Sequence, residues 1–66
     1  MYRLQWAYIM NEDGSRIYAD DLVYHDTDMV YDDMHEAENK RLQLIKRQEG
    51  IGPNFKYYKV KETNQL

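Results

Sequence analysis

Residues 26–49 carry the pattern that most narrows what this chain can fold into. At about 100° per residue, Leu44, Ala37, Val30, Met34, Ile45, Tyr31 and Leu42 fall on one side of a wheel. Asp32, Glu36, Asn39, Lys40, Gln43 and Arg47 fall on the other. The spacing predicts one amphipathic helix over 26–49, roughly 35 Å long at 1.5 Å per residue. Asp26 or Asp28 supplies a competent N-cap, since a short side-chain oxygen can accept from an orphan N–H. Acids crowd the first half and bases the second, the signs a helix dipole favours at each end, and Glu36 and Lys40 stand at i,i+4. Gly50 suits the left-handed position that closes a helix, and Gly52-Pro53 bars continuation.

The flanks read as strands. Tyr2, Leu4, Trp6, Tyr8 and Met10 alternate with Arg3, Gln5, Ala7 and Ile9. Asn11-Glu12-Asp13-Gly14 has turn chemistry, with Gly14 free to take a positive φ. The return strand is expected over 15–19, reaching 24 unless Asp20-Asp21 ends it early. Residues 55–62 form a third strand whose Lys56, Lys59 and Lys61 suit an exposed edge, and 63–66 read as a frayed tail. The expected fold is therefore α+β, a single small domain over 1–66: hairpin 2–24, helix 26–49 and strand 55–62. Its β-β-α-β order makes a three-stranded, mainly antiparallel sheet, order 2-1-3, with the long helix packed on one face. The competing arrangement sets strand three parallel beside strand two through a right-handed crossover. Either way one sheet face has no helix, and Ile9 with some of Tyr18, Tyr24 and Tyr57 is expected there.

Sixty-six residues allow one thin core, and the absence of cysteine rules out disulfides or a cysteine-based zinc site as a staple. No apolar run approaches the roughly 18 residues of a membrane span, so a complete cytoplasmic protein with no membrane partner is the expectation. Charge is uneven. Residues 1–36 carry two Arg against nine acids, and 37–66 carry seven bases against three acids, for a net of −3. Much of this contrast is one helix matching its dipole.

Nothing in the chain assembles a catalytic centre. His35-Glu36 lacks the second His of a zinc helix, the acids lack the spacing of a calcium loop, and Ser15 has no histidine beside it. Gly50-x-Gly52-Pro53 follows a helix where a phosphate loop would open one. No enzyme, metal or cofactor is expected. What stands out is seven Tyr among nine aromatics, set beside acids and bases. Tyr and Arg are typical interface anchors. The expectation is a small acidic protein-binding module, an inhibitor or adaptor in the style of those encoded by phages or mobile elements. It would act by occupying another protein, one with a basic groove being the natural match for an acidic face that imitates nucleic acid. The candidate contact residues are Asp20, Asp21, Asp28, Asp32, Asp33, Glu36, Arg41, Tyr18 and Tyr57. Arg41 is included because it falls inside the apolar stripe, where it either snorkels or meets a partner. Homodimerisation is compatible with this reading. The alternative is a nucleic-acid or nucleotide binder using Tyr, Lys and Arg of the C-terminal half.

Overall fold

A computed structural model describes residues 1–63 of the chain. The elements are β1 (Tyr2–Tyr8), a 3₁₀ turn (Ala19–Asp21), β2 (His25–Tyr31), α1 (Met34–Lys46) and β3 (Lys56–Glu62). The sheet is antiparallel throughout, in the expected order β2-β1-β3, with one helix. Of the tail expected over 63–66, residues 64–66 lie outside the described residues. Thr63 extends the β1–β3 ladder, its N–H donating to the Met1 carbonyl at 2.8 Å.

The strand beside β1 is not the one expected. Residues 25–31, read as the start of the helix, form β2, while 15–24 contribute only a single bridge, Met10 to Arg16. Propensity explains the difference. His25-Asp26-Thr27-Asp28 and Val30-Tyr31-Asp32-Asp33 are all mediocre helix formers, and Asp28 and Asp32 would repel at i,i+4. Residues 34–47 are almost all strong helix formers. The helix is accordingly capped by Asp33, not Asp26 or Asp28, the carboxylate accepting from the His35 N–H at 2.9 Å. Its 13 residues make it about 20 Å long, little more than half the expected length. Gly50 does take a positive φ, 95°, but in the turn beyond the helix and not at its end.

The β1–β2 ladder is irregular between Arg3 and Gln5, where β2 carries two extra residues. Side chains close the gap. The Thr27 hydroxyl donates to the Leu4 carbonyl at 2.7 Å and accepts from the Met29 N–H at 3.1 Å. Arg3 donates to the Thr27 carbonyl, and the buried Gln5 amide donates to the Asp26 carboxylate at 2.7 Å. A bulge that would strand backbone groups is thereby satisfied from within.

The core is thin. Leu4, Ala7 and Ala37 are fully buried and Phe55 nearly so. Ala37, Arg41, Leu44, Ile45 and, just past the helix, Gln48 are the less exposed positions along one side of this segment. Met34 and Leu42 from the expected stripe are 51% and 46% exposed, and Val30 and Tyr31 belong to β2. The helix packs mainly on β3, and there its polar side chains cover a free strand edge. Gln48 replaces a neighbouring strand: Nε2 donates to the Lys56 carbonyl and Oε1 accepts from the Lys56 N–H, both at 2.7 Å. Arg41 donates to the Tyr58 carbonyl at 3.4 Å while paired with Glu38 at 3.2 Å.

Two substitutions test this reading of the polar contacts. Thr27→Val keeps the shape but leaves the Leu4 carbonyl and Met29 N–H unpaired, and Gln48→Ala does the same to Lys56. Each is expected to lower the unfolding free energy in urea by about 1–3 kcal/mol. Unchanged denaturation midpoints would contradict the roles assigned to both side chains.

Candidate interaction site

Alternation along β1 sends Tyr2, Leu4, Trp6 and Tyr8 to one face, beside Val60, Tyr58 and Lys56 of β3. The helix occupies this face, where Tyr31 meets Glu36, Asn39, Lys40 and Gln43 around a shallow hollow. Further along it, Trp6 packs against His25 with ring centroids 4.5 Å apart, and Lys56 Nζ lies 4.5 Å from the indole centroid.

The opposite face carries Arg3, Gln5 and Ala7 with Tyr57, Lys59 and Lys61. No helix covers it. Residues 9–24, sixteen in a row between β1 and β2, fold over it instead. Connections of that length are uncommon in small domains. The base of the segment is a short hairpin: the Ile17 N–H donates to the Ile9 carbonyl at 2.9 Å and the Asn11 N–H to the Ser15 carbonyl at 2.7 Å. Its turn is the one expected, with Gly14 at φ 88°. The Asp13 carboxylate accepts from the Ser15 hydroxyl and N–H, which holds its pKa below the ordinary value. The other end is pinned where Lys59 Nζ sits 3.9 Å from the Tyr24 ring centroid.

Between this segment and the sheet lies a groove of about 570 Å³, lined by Ile9, Ile17, Leu22 and Tyr57 together with Arg16, Tyr18 and Ala19. Ile9, Ile17, Leu22 and Tyr57 are half-buried, whereas Tyr18 is 78% exposed. The groove thus has an apolar floor and one projecting phenol.

The structure divides the candidate residues into three groups. Tyr18 and Tyr57 come together in the groove, and Asp20 and Asp21, exposed in the 3₁₀ turn, follow directly on its wall. Asp28, Asp32, Asp33 and Glu36 lie elsewhere, exposed along β2 and the start of α1. Arg41 is turned inward onto β3 and Glu38. Ile17, Leu22 and Arg16 complete the groove and were not singled out from the sequence. The signal for them is the alternation of Ile17 with exposed neighbours in a stretch too interrupted to be a strand. Among the described residues no three His or acidic side chains gather closely enough to hold a metal, and no helix is long and apolar enough to cross a membrane.

Burial, and secondarily Tyr57, push the Tyr24 phenol above its ordinary 10.0. An acid whose folded pKa is raised stabilises the fold below its unfolded value, and that contribution is lost as pH rises through the folded value. Stability should therefore fall above pH 10.0, and Tyr24→Phe should make that fall shallower in urea titrations. Identical alkaline profiles for the two proteins would contradict the packing of Tyr24 on the sheet.

No family model matches the chain, and comparison with curated proteins and with solved structures gives no match either.

Proposed function

We propose that the chain is a non-enzymatic protein-binding module, an inhibitor or adaptor that acts by occupying a partner's surface. The observation that carries this reading is Tyr18, 78% exposed on the wall of an apolar groove built by the long 9–24 segment. A large aromatic left exposed beside an apolar hollow contributes little to this thin core. Such a residue is typical of the anchors that dominate protein interfaces.

The nucleic-acid alternative is less well supported. Base-stacking surfaces need open aromatic faces beside free cations. Here Lys56 lies over Trp6, Lys59 lies over Tyr24 and Arg41 is tied to β3 and Glu38, so these cations of the C-terminal half already serve contacts within the chain.

The test is capture of a partner by the tagged protein, compared with Tyr18→Ala. The exposed position makes that variant neutral for stability, and it is expected to weaken partner binding at least tenfold, an ordinary interface-anchor effect. Full retention of the partner by Tyr18→Ala, with the fold intact by circular dichroism, would contradict the assignment.

A further inference from the structure

We infer that the groove receives an apolar side chain from a partner segment whose neighbouring residues are basic. The inference rests on the protein-binding reading above and deepens it by fixing the chemistry of what binds. The groove floor is Ile9, Ile17, Leu22 and Tyr57, which accept a hydrocarbon or aromatic side chain and offer nothing to orient a polar one beyond the Tyr57 phenol. Its wall runs from Arg16 to Ala19 and passes straight into Asp20 and Asp21. Both carboxylates are exposed, and among the described residues neither lies within 4 Å of a cationic group. A segment bearing Arg or Lys beside its apolar residue pairs with them. One bearing Asp or Glu brings like charges together and is rejected.

The 9–24 segment has the same sign, with Glu12, Asp13, Asp20 and Asp21 against Arg16, while Arg3, Lys59 and Lys61 share the sheet face beneath it. Arg16 lines the groove at the other end of the wall. The acids along β2 and the helix start do not compete as a site. Asp26 already accepts from Gln5, Asp33 already caps the helix, and the shallow hollow beside Glu36 is lined, apart from Tyr31, by polar side chains. On this reading the groove belongs to this chain and the inserted side chain to the partner.

The experiment titrates the ¹⁵N-labelled full chain with three blocked hexapeptides at low salt. They are Gly-Leu-Leu-Arg-Lys-Gly, its Glu-Glu counterpart in place of Arg-Lys, and a Ser-Ser counterpart. The basic peptide is expected to shift the amides of residues 16–22 and Tyr57, and to bind at least tenfold more tightly than the acidic one. Its affinity should fall with added salt, and Asp20→Asn with Asp21→Asn should erase most of its advantage over the neutral peptide. Equal or tighter binding of the acidic peptide would overturn the inference, as would an unchanged preference in the double variant. The protein-binding reading fails separately, if none of the three peptides moves the groove amides and Tyr18→Ala leaves partner capture intact. Because Asp20 and Asp21 are exposed and form no ion pair within 4 Å among the described residues, the double variant is expected to fold.

Discussion

Thr27 holds β2 to β1 where the ladder would otherwise break, and the rest of the molecule follows from that attachment. Its hydroxyl serves one carbonyl and one N–H that the two extra residues leave without ladder partners. With Arg3 and Gln5 it turns an irregular pairing into a satisfied one. Once 25–31 fills that side of β1, residues 9–24 have no strand position left. They must cross the face that the helix does not cover, and in doing so they make the groove. A local hydrogen-bonding solution thus determines where the groove lies.

The chain is too small to bury everything, and it uses polar side chains where a larger protein would use more layers. Gln48 stands in for a fourth strand at Lys56, and Arg41 serves the next outward carbonyl. The two edges of the sheet also differ in sign. β2 presents Asp26 and Asp28, and β3 carries Lys56, Lys59 and Lys61. Charged edges of this kind discourage indiscriminate strand addition.

Much of the architecture was readable from residue order. Alternation located β1 and β3 to within two residues at each end, Gly14 marked its turn, and the antiparallel logic yielded the order 2-1-3. The failure was at 25–33. Val30, Tyr31 and Met34 happen to continue the helical period of the residues after them, and that coincidence outweighed four aspartates and two β-branched residues with weak helix propensity. Pairing with β1 then decided the matter, a tertiary effect that no window of sequence contains. The site was legible in parts for the same reason. Tyr18, Tyr57, Asp20 and Asp21 could be picked out as unusual surface residues. Their convergence could not, because it depends on 9–24 being a loop. Arg41 was rightly seen as misplaced in an apolar stripe, but the stripe at that point faces the backbone of β3, where a guanidinium is useful.

The claim on which all of this rests is that residues 25–31 are a strand on β1, leaving 9–24 to form the groove. Backbone chemical shifts and cross-strand Hα–Hα and amide contacts from nuclear magnetic resonance test it most directly. The account predicts extended shifts from His25 to Tyr31, contacts joining Tyr2 to Tyr31 and Trp6 to His25, and helical shifts beginning only after Asp33. Continuous helical shifts from Asp26 onward, with strand pairing between 2–8 and 15–24, would contradict it and remove the groove with it.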